Sequence, residues 1–78
     1  AVVQAEDAKR VLVDTAVEHL PHKQRLVIRR HYGFDGDPAP LRRIARELNV
    51  SPQRVSALEH AALHQLEDEL RASLGREA

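Results

Sequence analysis

Apolar residues recur along this chain at the three- and four-residue spacing of a helix, with no strand-like alternation anywhere. Over about residues 3–18, Ala5, Ala8, Leu12 and Ala16 fall on one helical face. Leu20-Pro21 interrupts that pattern. Proline disfavours a helical residue before it and suits the first turn of the next helix. A second helix follows over about 22–32 with Leu26, Val27 and Ile28, and Gly33 stops it as a left-handed cap would. Phe34 to Pro40, rich in Asp, Gly and Pro, is a turn-forming connector. The spacing predicts a third helix over about 41–48, with Leu41, Ile44, Ala45 and Leu48 on one face. Asn49 tolerates a left-handed backbone and can end it. Ser51-Pro52 reads as N-cap followed by first helical residue, the strongest start signal in the chain. The fourth helix runs from 52 to about 73, with Val55, Leu58, Ala62, Leu66 and Leu70 along one stripe and Gly75 past its end. The fold class expected is therefore all-α: a small four-helix domain.

Length and composition narrow the picture. The 78 residues suit one domain spanning 1–78, near the lower size limit for folding unaided. The chain starts at Ala1 without Met, as an excised piece of a longer protein would, although a trimmed initiator Met would look the same. There is no cysteine, hence no disulfide or Cys-based zinc site. Apolar runs such as Val11-Leu12-Val13 and Leu26-Val27-Ile28 are too short for a membrane span or a signal-peptide core. Tyr32 and Phe34 are the only aromatics, which speaks against a stacking platform for single strands. No nucleophile elbow, phosphate-cradling glycine loop or convincing carboxylate pair is present. Neither an enzyme nor a cofactor is expected.

The net charge is zero, but the zero hides blocks. Residues 1–20 set Lys9 and Arg10 against Glu6, Asp7, Asp14 and Glu18. Residues 21–34 hold Lys23, Arg25, Arg29 and Arg30 with no acid, and the connector adds Asp35 and Asp37. Residues 41–54 hold Arg42, Arg43, Arg46 and Arg54 against Glu47 alone. Beyond residue 54 acids outnumber bases again. A basic middle framed by acidic ends suits a phosphate-facing surface; the alternative is a set of solvated helix faces with intrahelical pairs.

The third and fourth segments make a helix-turn-helix pattern. Such a motif needs a small residue where its helices cross, and Ala45 sits there. Four residues on, the turn needs positive φ, and Asn49 replaces the usual glycine. Val50 is the apolar plug, while Val55 and Leu58 point inward with Ile44 and Leu48. The competing reading is an ordinary helical hairpin of a bundle.

Two motifs bring a family into view. Leu20 to Gly36, reading Leu-Pro, a basic apolar helix, then Tyr-Gly-Phe-Asp-Gly, resembles region 4.1 of sigma-70 family transcription initiation factors. Leu41 to Leu66 resembles region 4.2, with Ile44, Ala45, Leu48, Val50, Ser51, Arg54, Val55, Leu58, Glu59, Ala62, Leu63 and Leu66 in register. The resemblance covers residues 15–70 and favours the primary-like branch. It divides the chain into an N-terminal helix (1–20), a region 4.1-like helix and loop (21–40) and a region 4.2-like helix-turn-helix (41–74). It implies a cytoplasmic bacterial domain that reads the promoter −35 element in double-stranded DNA and grips the β-flap, or another subunit, of RNA polymerase. Anti-sigma factors and activators are further implied partners. By position, the DNA-facing set is Arg42, Arg43, Ser51, Gln53, Arg54, Ser56, Ala57 and His60, with Pro52 and Ala61 beside them. Arg25, Arg29 and Arg30 fall at positions facing phosphate or polymerase.

The departures carry information too. Family members place Arg, Glu, Gln and Lys at the start of the recognition helix, and such groups reach base edges. Here Pro52, Ser56, Ala57 and Ala61 take those places, leaving Gln53 and Arg54. Arg42 and Arg43 stand where the family often has glutamates; they add phosphate affinity without sequence information. The domain is thus expected to bind polymerase better than it reads DNA: either it reads an unusual element, or it is a sigma-like interaction module of a regulator. An unrelated helix-turn-helix repressor is the remaining alternative and would predict a symmetric dimer.

His60 and His64 have i, i+4 spacing, but no further metal ligand follows nearby in sequence, so a solvent- or groove-facing role is expected. His19 and His22 read as surface residues. Tyr32 and Phe34 read as core or loop anchors, and Glu59 as a residue fixing local structure.

Overall fold

The computed structural model describes residues 5–76, with side chains described from Arg10 to Gly75. Four helices form among the described residues: α1 (Ala5–Glu18), α2 (His22–His31), α3 (Leu41–Leu48) and α4 (Pro52–Arg76). The expected start of the first helix near residue 3 lies outside the described residues, as do the side chains of Ala5 and Ala8. No strand occurs among the described residues, and no helix is long and apolar enough to cross a membrane.

The breaks between helices follow local chemistry. Pro21 precedes α2 with φ −53 and ψ 151, an extended entry that its ring permits. Gly33 ends α2 at φ 75, and the Phe34 N–H donates to the Arg29 carbonyl at 2.9 Å, closing a Schellman-type turn. A Cβ on Gly33 would lie 2.9 Å from both the Gly36 carbonyl oxygen and Pro38 Cγ, so the tight turn requires glycine twice over. Asn49 ends α3 in the left-handed region at φ 56, ψ 46. The stop expected at Gly75 is not where α4 ends. A glycine terminates a helix by turning left-handed; Gly75 has no positive φ, and the helix runs through it to Arg76.

The core has two lobes. In the first, Ala16, Val17 and Leu20 of the α1 end pack with Ile28, Ala62 and Leu66. In the second, Val27, Ala39, Ile44, Ala45, Val55 and Leu58 pack together. Adjacent residues Val27 and Ile28 thus serve opposite lobes, which makes α2 the central wall. α4 spans both, its stripe serving the second lobe through Val55 and Leu58 and the first through Ala62 and Leu66. Alanines at the crossings, each no more than 2% exposed (Ala16, Ala45, Ala62), let the helix backbones approach closely. No polar or charged residue is buried among the described residues.

Candidate nucleic-acid interface

α3, its turn and the start of α4 are built by a short series of backbone devices. With Asn49 left-handed, the Val50 N–H reaches back to the Ala45 carbonyl at 3.0 Å. Val50 then packs on the second lobe with Leu41 and Leu48. The Ser51 hydroxyl accepts the Arg54 N–H at 3.0 Å, and its carbonyl accepts the Val55 N–H at 3.1 Å. That is the N-cap expected for α4. Val55 and Leu58 are buried, so the opposite face of α4 is turned outward. Pro52, Gln53, Arg54, Ala57, His60 and Ala61 are exposed there, and Ser56 is half-buried. Every residue of the sequence-derived DNA-facing set except Ser56 is exposed, and Ser51 is committed to capping.

The arginines divide into two groups. Those of α2 are engaged. Arg29 grips Asp35 through Nε at 2.8 Å and Nη2 at 2.5 Å, and Glu18 through Nη1 at 2.7 Å. Its guanidinium also lies 5.7 Å from the centre of the Phe34 ring. Arg30 forms a forked pair with Glu47 of α3, at 2.5 and 3.1 Å. Arg25 donates to the Glu18 carbonyl at 3.1 Å. The hydrogen bond from Arg29 holds the Asp35 carboxyl below the ordinary carboxylate range, and Asp35 in turn raises Arg29. By contrast, Arg42, Arg43, Arg46 and Arg54 are exposed and have no ion-pair partner among the described residues. Arg10 and Lys23 are likewise exposed and in no ion pair among the described residues, but four of the arginines without such a partner fall together on α3 and the first turn of α4.

Arg46 was missed in the sequence reading of the site. The signal was available: it follows Arg42 by four residues and Arg43 by three, which places all three on adjoining parts of one helical face. The acids that occupy α2 were missed as well. Glu18, Asp35 and Glu47 lie 6 to 17 residues from the arginines they clasp, distances no local pattern reports.

A brace ties the interface to α2 and the connector. Ala39 donates its N–H to the Arg30 carbonyl at 3.0 Å, and its own carbonyl lies 2.9 Å from His31 Nδ1. The other nitrogen of His31 faces Glu59 of α4 at 3.3 Å, and the same carboxylate oxygen accepts the Tyr32 hydroxyl at 3.0 Å. Burial first, then that hydrogen bond, pushes the Tyr32 phenol above its usual value. Tyr32 is 49% exposed, so it anchors through its hydroxyl and not as core, while Phe34 packs beside the first lobe. His19 faces Glu69 on the surface, and His64 lies 3.4 Å from Asp68; His22 and His60 are exposed. No cluster of three or more metal-ligating side chains occurs among the described residues.

A second surface has a different character. Val13, Leu70 and Leu74 line an apolar groove between α1 and α4, and Val11, Leu63 and Leu74 are among the exposed large apolar residues.

Comparison with curated proteins and with solved structures returned no match. A family model does match: Sigma-70, region 4, over residues 16–68, more than half of the chain. The matched span begins at the α1 end that closes the first lobe and takes in α2, the connector, α3 and most of α4. With its capped outward helix, left-handed turn and gathered arginines, this chain belongs to the sigma-70 region 4 family, a family of DNA-binding helix-turn-helix domains of transcription.

Proposed function

We propose that this domain engages RNA polymerase and −35-type promoter DNA in transcription initiation, in the cytoplasm of a bacterial cell. The observation that carries the proposal is the set of four exposed arginines, without an ion-pair partner among the described residues, on α3 and the first turn of α4. On this reading Arg42, Arg43, Arg46 and Arg54 hold phosphates, while Gln53, Ala57 and His60 face the bases. Arg25, Arg29 and Arg30 support that arrangement by fixing α2 to the connector and to α3. Polymerase would dock elsewhere, on the β-flap-binding face that region 4 domains carry.

The α1–α4 groove favours a second reading, in which the domain is chiefly a protein-interaction module that binds polymerase with little DNA reading. Salt separates the two. A DNA complex loses affinity by nearly one log unit per phosphate contact per decade of salt, and an apolar protein interface does not. Purified RNA polymerase subunits passed over the immobilised domain test the other partner. Retention of the β subunit and steep salt dependence for duplex DNA are expected. If no subunit is retained and Arg54→Ala leaves DNA binding unchanged, the proposal fails.

A further inference from the structure

The outward face of α4 can be read base by base. With about 100° per residue, Gln53, Ala57, His60 and His64 lie directly opposite the buried stripe of Val55, Leu58, Ala62 and Leu66, and all four are exposed. Arg54 lies about 100° around the helix from Gln53, on the flank. Over residues 53–64 the central line of the face therefore carries no arginine or lysine, the usual partners of guanine; the next basic residue on that line, Arg71, stands about five turns beyond Gln53. Its two residues nearest the N-terminus, the part of a recognition helix that meets base edges, are an amide and a methyl group. The Gln53 side chain makes no hydrogen bond among the described residues, so its amide is free to pair.

Resting on the DNA-binding reading above, we infer that this recognition helix selects A·T pairs, Gln53 pairing with an adenine and the Ala57 methyl packing on a thymine methyl. An adenine edge offers one acceptor, N7, beside one donor, the 6-amino group, which a carboxamide matches with both of its own groups. A guanine edge offers two acceptors, and the carboxamide oxygen would face one of them unpaired. Ala57 has nothing to hydrogen-bond, and the C5 methyl of thymine is the apolar feature of the major groove. Four residues apart, the two side chains stand about 6 Å apart along the axis, roughly two base-pair steps of about 3.4 Å. Small residues at Ala57 and Ala61 let the helix sit deep, which brings the amide of Gln53 within reach of the base edges. The four flanking arginines supply affinity without preference.

Selection from a random duplex library by this chain, followed by competition binding, tests the inference. The enriched element is expected to hold an adenine and a thymine within two steps, in the same or opposite strands. Replacing that adenine by 7-deazaadenine, which lacks N7, or that thymine by deoxyuridine, which lacks the methyl, weakens binding. For the adenine the loss is about 5-fold or more and stays below the roughly 150-fold upper value of a whole bidentate pair, because the hydrogen bond from the 6-amino group remains. Gln53→Ala abolishes the adenine preference and the 7-deaza effect but leaves the salt dependence unchanged, whereas Arg54→Ala weakens all duplexes alike. A guanine-centred element, or analogues without effect, would overturn the inference. Tight binding with no base preference sinks this inference alone; no binding to any duplex at low salt sinks the DNA-binding reading with it.

Discussion

At the scale of the residue, Asn49 is the hinge on which the interface turns. Its φ of 56 is a conformation an L-residue adopts at a cost of roughly 1–2 kcal/mol, and asparagine bears it better than most. Asn49→Gly should leave stability unchanged or slightly improved. Asn49→Val, with a branched Cβ, should lower the free energy of unfolding by about 1–2 kcal/mol. Urea unfolding of both variants checks this, and equal midpoints would show that the turn is unconstrained. Asp35 has a pH signature. Its carboxyl is held below its unfolded value by Arg29, so its contribution is complete above about pH 4 and is lost as pH falls through the lowered folded value. Asp35→Asn should flatten the acid limb of the stability curve between about pH 2 and 5 and leave it unchanged near neutrality apart from a constant offset. Thermal melts across that range, with overlapping slopes for both proteins, would remove Asp35 from the account. Asn49 was legible from its type and place four residues after Ala45. The Arg29–Asp35 clasp was not, because both residues read equally well as solvated charges.

At the scale of the element, the helices were legible because each boundary has a chemical cause visible in one or two residues. Leu20-Pro21, Gly33, Asn49 and Ser51-Pro52 each mark a break where the structure has one. Gly75 misled because glycine permits a helix end without imposing one. Burial sharpens what periodicity suggests. Ile44 is 1% exposed and holds α3 to both α2 and α4 within the second lobe. Ile44→Ala should cost about 2–5 kcal/mol, enough to unfold much of so small a domain. Ile44→Val should cost only about 0.5–1.5 kcal/mol and keep the fold. Leu74→Ala, at a site 55% exposed, should stay within about 0.5 kcal/mol of the parent. Circular dichroism against urea distinguishes the three, and similar midpoints for Ile44→Ala and Leu74→Ala would contradict the two-lobed core.

At the scale of the whole molecule, the basic middle of the sequence turns out to hold two populations with different tasks. Charge counting weighted residues 21–34 above residues 41–54. Folding reverses the order, since Glu18, Asp35 and Glu47 neutralise the α2 arginines while Arg42, Arg43 and Arg46 have no ion-pair partner among the described residues. The triple variant Arg42→Ala/Arg43→Ala/Arg46→Ala should therefore reduce the slope of log affinity for duplex DNA against log salt by as much as about 2.7. Arg29→Ala should act mainly on stability. Fluorescence anisotropy over a salt series reads the first and melting the second; an unchanged slope in the triple variant would move the phosphate contacts elsewhere.

The long α4 helix has a bearing on how the domain meets a partner. Arg54 stands near its start, and Glu67, Asp68 and Glu69 stand about four turns further on. A rod so polarised feels a torque in the field of a polyanion, and the cationic tip is drawn forward while the anionic tail swings away. Approach is thus aimed before contact, and fewer collisions are wasted in the wrong orientation. The tail that trails outward carries the exposed Leu74 with it, and so offers its greasy flank to the solution at the moment the tip docks.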